Sequence, residues 1–545
     1  MEEKFGNTEN YRIIIRDKKG AFLLHPFISK TEKKFSIDQC SSIKSSTRRL
    51  VSYNFNQKQS SIMKLSVREK LGYSLGDTAS HFVWDMVNFW LIFYYTDVLG
   101  ISIAWATTIG ILGTIMDAVM DPIVGIWADR TNTRWGKFRP FLLLGCVPFA
   151  VVAFLAFYGP DLQGNALIAY VLPMFILLRI IYAIVNIPYS SLGAVMTDDS
   201  IERVSLNSYR FIAAYAGQLI VSGVALYVVY YLGSYAVTGL DYHVMASDDM
   251  RKAFQEASPE NKILVQSAYK YGFRYLVAIF GCISVALFMV AFRSTRERVN
   301  PPKRQDSNLL HDFKYLFKNR PWVVLTVVGI VSFIMFAIQN ISANYYFKYY
   351  LDAESKAQIF NLLGTLALIV AIPMTKPLTK RFGGKNLYIV CSLLSGLFFC
   401  LLYVAGDNFI LINIFNCLGK ISYAPAISLL WTMLADAADY GEWRFNRRTT
   451  GLCLSAAVFA QKIGWSIGAA ILGAVMSGVG FDPEHMSITQ IQATPTIMNS
   501  IHWLFGLAPG ILYASCAIFL VFYNLDTKTM QQMKTELDDR RALEE

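Results

Sequence analysis

From about residue 77 to residue 524 the chain repeats one pattern, a run of about 20–30 mostly apolar residues followed by a polar break. A helix of that length crosses a hydrocarbon core of about 30 Å. Twelve runs fit: 77–98, 102–128, 140–159, 165–195, 208–233, 271–292, 322–348, 357–375, 386–405, 409–435, 451–479 and 501–524. They predict an all-α membrane protein with twelve transmembrane helices, because a lipid-exposed backbone must satisfy its own hydrogen bonds. Composition agrees. Hydrophobic residues make up 54% and charged residues 16% of the chain, where a soluble domain carries about 25% charged residues. Mean hydropathy is +0.37. A soluble enzyme is all but excluded.

The formal net charge is +11, but the basic residues do not form a nucleic-acid surface. They sit in breaks between apolar runs, as in the inside-facing loops of membrane proteins. Arg130, Arg134, Lys137 and Arg139 follow the second run, and a basic stretch from Arg293 to Arg320 follows the sixth. Lys376, Lys380, Arg381 and Lys385 follow the eighth. The breaks after runs one, three and eleven contain no Lys or Arg. This alternation predicts that both termini are cytoplasmic and that the segment 234–270 is external.

The long basic stretch divides the chain into a six-helix bundle over 66–295, a cytoplasmic linker over 296–320 and a second bundle over 321–526. A charged cytoplasmic tail, 527–545, ends it. "GIWADRTNTRWGKFRP" after run two and the looser "KPLTKRFGGK" after run eight sit at equivalent places in the two halves. Residues 1–65 form a polar arm expected to be disordered and cytoplasmic. Met63, just before the membrane pattern, would serve equally as a start. The eight cysteines include no C-x-x-C pair and read as small packing residues.

Function is written in the polar residues that hydrocarbon tolerates poorly. An Asp at a helix centre costs roughly 2.5–3.5 kcal/mol on insertion scales. Run two carries Asp117 and Asp121, four apart and so on one helix face. Two stacked carboxylates repel unless a cation joins them. That cation is either a bound H⁺ or Na⁺, or a basic side chain from another helix. His81 and Asp85 are four apart in run one, and Arg179 and Asn186 share run four. Arg210 opens run five and Lys462 lies inside run eleven, where a buried ammonium needs a carboxylate. These groups are expected to meet in one polar cavity, with Trp431 stacking on a sugar ring.

Six segments then occur in order: "GYSLGD", "FYYTDVLG", "DAVMDPIVG", "ADRTNTRWGKFRPF", "YAIVNIPYSSLG" and "DYGEW". Together they resemble the glycoside–pentoside–hexuronide:cation symporters, the melibiose permease-like family of the major facilitator superfamily, over about residues 66–525. Within that family the chain looks closest to transporters of α-xylosides such as isoprimeverose, with glucuronide transporters nearby. The resemblance implies the major facilitator fold, with two six-helix halves. It implies a cation site at Asp117 and Asp121 and a Lys462 linked to both cation and sugar. It places Arg210 beside the sugar. His81, Asn186, Ala183 and Ser190 stand where the melibiose permease pattern has Asp, Asp, Thr and Trp. These departures argue against a galactoside. They also thin the oxygen shell that Na⁺ needs, which favours H⁺ as coupling ion.

The expected protein is therefore a monomeric sugar symporter and not an enzyme. It lies in the lipid bilayer of a bacterial inner membrane and binds a small glycoside and a monovalent cation, H⁺ or Na⁺, with no other cofactor. The sugar-binding set is His81, Asp85, Asn186, Arg210, Trp431 and Lys462. A cytoplasmic gate is expected from Arg130, Arg134, Lys137 and Arg139 paired with Asp436 and Asp439. A hexuronide symporter, a lipid or lysolipid transporter of the same fold, a membrane enzyme acting on glycolipids and a sugar sensor are the rivals. No G-x-x-x-x-G-K-[ST] loop is present for ATP.

Overall fold

The computed structural model describes residues 13–16, 22–25, 65–237, 259–299, 309–446, 450–481, 491–492 and 494–544. Met1–Lys64 and Leu65–Glu545 are separate units. In the first, β1 (Ile13–Arg16) and β2 (Phe22–His25) pair antiparallel, Ile13 opposite His25 and Arg16 opposite Phe22. The arm was expected to lack secondary structure, and here it contains a hairpin. The rest of that expectation lies outside the described residues.

The second unit is helical throughout. Its first half contains α1 (Val67–Phe93), α2 (Ile103–Arg130), α3 (Arg139–Ala156), α4 (Gly164–Met196), α5 (Ser200–Ala236) and α6 (Pro259–Ser294). A short amphipathic helix, α7 (Leu309–Lys318), lies in the linker. The second half contains α8 (Arg320–Tyr345), α9 (Glu354–Ala371), α10 (Thr375–Phe382), α11 (Gly384–Ala405), α12 (Phe409–Phe445) and α13 (Thr450–Gly478). It is completed by α14 (Pro495–Phe505) and α15 (Leu507–Val521), and α16 (Thr527–Glu544) forms the tail. Ten spans among the described residues are long and apolar enough to cross a membrane, and the bent α5 makes eleven. The remaining sequence-predicted span is α1, whose 27 residues include Asp77, His81 and Asp85.

Several helices run past their apolar windows. The expected boundaries 77–98, 208–233 and 409–435 become Val67–Phe93, Ser200–Ala236 and Phe409–Phe445. The extra turns are polar, so hydropathy does not register them, but local chemistry fixes them. Ser66 caps α1 in a full capping box with Glu69, and the Asp199 carboxylate accepts from the amides of Ile201 and Glu202. Run eight becomes α9 and α10 joined by a tight turn at Ile372–Met374, and run twelve breaks at Gly506. The external segment 234–270 loses its last part to α6, which begins at Pro259.

Each half has its own apolar core. One is built from residues between Leu65 and Val299, the other chiefly from residues between Leu316 and Leu525. The halves repeat each other in detail. α1 and α8 both end in a wide π-type turn, Tyr94–Val98 and Tyr346–Tyr350. Large apolar side chains such as Leu144, Val370, Val404 and Ile518 are exposed on the outside, where lipid is the solvent.

The halves meet at the end that carries the 131–138 loop and the linker, here called the basic end. Arg203 Nη1 lies 2.8 Å from Asp436 Oδ1 and 2.6 Å from Asp439 Oδ2, and Ser200 Oγ donates to Asp436 Oδ2 at 2.8 Å. Glu202 receives Lys70 at 2.6 Å and Lys376 at 2.7 Å. Asp129 accepts from the amides of Gly451 at 2.9 Å and Leu452 at 3.0 Å, capping the start of α13 from the opposite half. α2 and α13 come so close that a Cβ at Gly451 would lie 2.5 Å from the Gly125 carbonyl oxygen. In the tail, Lys534 lies 3.5 Å from Asp198 of the first half, and Glu536 accepts from Trp443 Nε1 of the second at 2.6 Å.

Candidate functional site

Between the halves lies a cavity of about 1260 Å³. Its wall carries residues near the far ends of α5 and α8, including Tyr227, Tyr230, Asn344 and Tyr345, so it reaches away from the basic end. His81, Asp85, Asp117, Asn186, Arg210, Trp431 and Lys462 all line it. Asp121 is fully buried just behind that wall, one helical turn from Asp117.

Asp117 and Asp121 share a face of α2, and the cation between them is a side chain. Lys462 Nζ, from the other half, lies 3.1 Å from Asp117 Oδ1 and 2.9 Å from Asp121 Oδ2. Its aligned hydrogen bond goes to Asp121 Oδ1 at 3.0 Å; the contacts to the other two oxygens are ion pairs out of hydrogen-bond alignment. Arg179 Nη2 sits 3.3 Å from Asp117 Oδ2. Two carboxylates thus face two cations, and the pair is neutral in this state. Among the described residues, no cluster of three or more His, Cys, Asp or Glu side chains is placed to hold a metal ion. A Na⁺ here would need backbone or hydroxyl oxygens beyond the two aspartates.

The remaining sugar-site residues are also engaged. His81 Nδ1 lies 2.8 Å from Asp85 Oδ2. Arg210 Nε donates to Asp77 Oδ2 at 2.9 Å, and its Nη2 donates to Ser190 Oγ at 3.3 Å. Its guanidinium carbon sits 4.8 Å from the Trp431 ring centroid. One face of Trp431 is therefore covered by a cation, which leaves less ring for a sugar than its position in an apolar run suggests. Trp84 stacks on Tyr182 with centroids 4.0 Å apart, and Arg179 lies over its ring at 4.9 Å. Asn186 is 8% exposed, at the cavity wall.

Asp436 and Asp439 lie at the closed end, where Arg203, a residue outside the expected gate set, pairs with both. Within the 131–138 loop region, the carboxylate of Glu297 accepts from the amides of Lys137, Phe138 and Arg139 at 2.8, 2.8 and 3.1 Å. Arg139 Nη2 donates to the Phe292 carbonyl at 2.8 Å. Arg134 lies over the Trp135 ring at 4.6 Å. These contacts anchor the loop to the end of α6 in its own half. Gly136 shows why glycine stands there, with φ +109° and a Cβ position 2.4 Å from Glu297 Oε1. Arg130 ends α2, one residue beyond Asp129, which makes the cross-half contact.

Three residues stand out in the structure that the apolar-run reading does not single out. Asp77, in "GYSLGD", is the partner of Arg210. Arg203 holds the gate. Lys420, inside α12, lines the cavity and donates to Gln339 Oε1 at 3.1 Å. Lys420 carried the same signal as Lys462, a lone Lys in an apolar run.

A family profile described as MFS/sugar transport protein matches residues 72–527. The inner membrane symporter YicJ of Escherichia coli is 30% identical over 481 residues, covering 87% of this chain and 95% of that protein. The isoprimeverose transporter of Lactiplantibacillus pentosus is 28% identical, covering 87% and 92%. The glucuronide carrier protein homolog of Escherichia coli is 28% identical, covering 88% and 98%. Among solved structures, the major facilitator transporter FucP in its outward conformation aligns with a TM-score of 0.59 at 14% identity. That alignment covers 84% of this chain and 99% of FucP, a likeness of fold alone.

Proposed function

The chain belongs to the MFS/sugar transport family of glycoside:cation symporter type, and from that premise we propose that it imports a glycoside together with H⁺ or Na⁺ by alternating access. It is a multi-pass membrane transporter and not an enzyme. The reading places it as a monomer in a bacterial inner membrane with both termini cytoplasmic. The basic end is then the closed cytoplasmic side, and the cavity faces outward.

One observation carries the mechanism: the ammonium of Lys462, from one half, is bound by Asp117 and Asp121 of the other at the cavity wall. An incoming cation competes with Lys462 for those carboxylates. Its binding releases a bond between the halves and frees Lys462 for a sugar hydroxyl. Cation occupancy, sugar affinity and the relation of the halves are thereby linked. The sugar is held by Lys462, the His81–Asp85 pair, Asn186 and the edge of the Arg210–Trp431 stack, with hydroxyls as both donors and acceptors. The cycle opens the basic end by separating Arg203 from Asp436 and Asp439. One charge moving down about 100 mV supplies about 2.3 kcal/mol, enough for a roughly fifty-fold sugar gradient at one-to-one stoichiometry.

A xyloside is one candidate substrate, supported by the likeness to an isoprimeverose transporter. A hexuronide is the second, favoured by the cation Lys420 in the cavity wall. A lipid cargo fits poorly with a wall bearing Asp77, Asp85, Asp117, Arg210 and Lys462. The test is uptake into proteoliposomes of labelled xylosides, glucuronides and galactosides under an imposed pH or Na⁺ gradient. Accumulation driven by one gradient, and lost in Asp117→Asn or Asp121→Asn, is expected. Absence of driven uptake for every glycoside, from folded protein, would overturn the reading.

A further inference from the structure

We infer that Lys420 is an anion subsite for the transported glycoside, so that the cavity prefers a sugar carrying an acidic group. The inference rests on the transport reading above and names the substrate class within it. Among the described residues, the other Lys and Arg side chains of the cavity wall each face a carboxylate. Arg210 faces Asp77, Arg179 faces Asp117, and Lys462 faces Asp117 and Asp121. Asp85 is answered by His81. Lys420 has no such partner. Its ammonium donates to the neutral Gln339 Oε1 at 3.1 Å and lies 4.9 Å from the centroid of the Phe336 ring. Gln339 is 1% exposed, and its Nε2 has no acceptor. A buried amide donor and an ammonium therefore stand together with no negative group between them.

Cavity water can solvate Lys420 while the cavity is open. Occlusion around a substrate removes that water, and an ammonium without a counter-charge is then strongly disfavoured. A neutral glycoside leaves this unanswered. A carboxylate on the sugar answers it with a charge-assisted hydrogen bond from Nζ. The chemistry of the two candidate substrates isolates the point. A β-D-glucuronide is a β-D-xyloside with a carboxylate on C5, so the same ring contacts can serve both and the added group reports on Lys420 alone.

The experiment uses the full chain in lipid nanodiscs for binding and in proteoliposomes for uptake. The probes are 4-nitrophenyl β-D-glucuronide and 4-nitrophenyl β-D-xyloside. Wild type is expected to bind the glucuronide more tightly than the xyloside and to take it up. Lys420→Gln is expected to weaken the glucuronide by about 30-fold or more and the xyloside by less than about threefold, as for loss of one partner of a buried charge pair. Lys420→Arg is expected to keep most of the glucuronide affinity, which separates charge from folding. Equal weakening of both probes, no weakening of either, or wild-type uptake of the xyloside without the glucuronide overturns the inference while leaving transport intact. Wild type that takes up neither probe nor any other glycoside under either gradient overturns the transport reading, and this inference with it.

Discussion

Lys462 and Asp121, 341 positions apart in the chain, are joined by a 3.0 Å hydrogen bond from one half of the molecule to the other. Lys462→Gln removes the ammonium and leaves Asp121 beside Asp117 in a low dielectric. Such a pair recruits a mobile cation more strongly. The half-saturating cation concentration is expected to fall by about tenfold or more, equivalent to roughly 1.4 kcal/mol. Gradient-driven sugar accumulation should be lost, since the bond that couples cation to halves is gone. Cation titration of tryptophan fluorescence, with Trp84 beside Arg179, reads the first effect and vesicle uptake the second. An unchanged half-saturation would remove Lys462 from coupling.

Arg203 is expected to hold the basic end shut. Arg203→Gln removes the cation that Asp436 and Asp439 share, and breaking a buried pair in this way costs about 3–5 kcal/mol. Opening that end to water relieves the cost, so the equilibrium moves toward the open arrangement. Ser455, fully buried beside Gly125, reports on it. A cysteine at position 455, with Cys453→Ser, should be alkylated about tenfold faster or more in the Arg203→Gln background. Adding Asp439→Asn should return part of the change. Equal alkylation rates in all backgrounds would show that the gate lies elsewhere.

Residues legible in the sequence are those whose charge stands alone in an apolar run. Asp117, Asp121 and Lys462 stand out in that way, and their chemistry predicted a shared cation. Two outcomes stood open, a mobile ion or a basic side chain, and only three-dimensional placement shows Lys462 and Arg179 at the carboxylates. Arg203 is illegible for the opposite reason. It lies in "DDSIERVSLNSYR", a polar stretch that hydropathy cannot distinguish from a solvated loop. It is instead the first turn of α5, buried between the halves. The positive-inside pattern of the basic loop reports on side of membrane, not on partners. Glu297 binds that loop through backbone amides, a contact without a charge pattern in the sequence.

Glu297 therefore yields its own prediction. Glu297→Ala leaves the amides of Lys137, Phe138 and Arg139 without their carboxylate. Hydrogen bonds to a charged group contribute about 1.5–3 kcal/mol each, and water at this end replaces part of them. A net loss of about 2 kcal/mol should lower the apparent Tm by about 4–8 °C, given about 2–4 °C per kcal/mol for bundles of this size. Glu297→Gln should recover part of the loss. Thermal unfolding in detergent measures both. A Tm within about 1 °C of wild type for Glu297→Ala would show that the loop is held by other contacts.

Tyr94 and Tyr346 make the same bond in the two halves. Tyr94 donates to the Phe157 carbonyl at 2.7 Å, and Tyr346 donates to the Gly406 carbonyl at 2.7 Å. Both rings are fully buried, and each opens the wide turn that ends the first helix of its half. The bond ties that turn to the end of the third membrane span of its half, α3 or α11, at the end remote from the gate. Tyr→Phe at either position keeps the ring packing and removes one hydrogen bond, leaving a buried carbonyl unsatisfied at about 1–3 kcal/mol. Each substitution is expected to lower the apparent Tm by a similar amount, about 2–12 °C. The two sites lie in separate cores, so their effects should add within about 0.5 kcal/mol. Strong coupling in the double variant, or a cost at only one site, would mean that the halves do not carry equivalent structural fastenings.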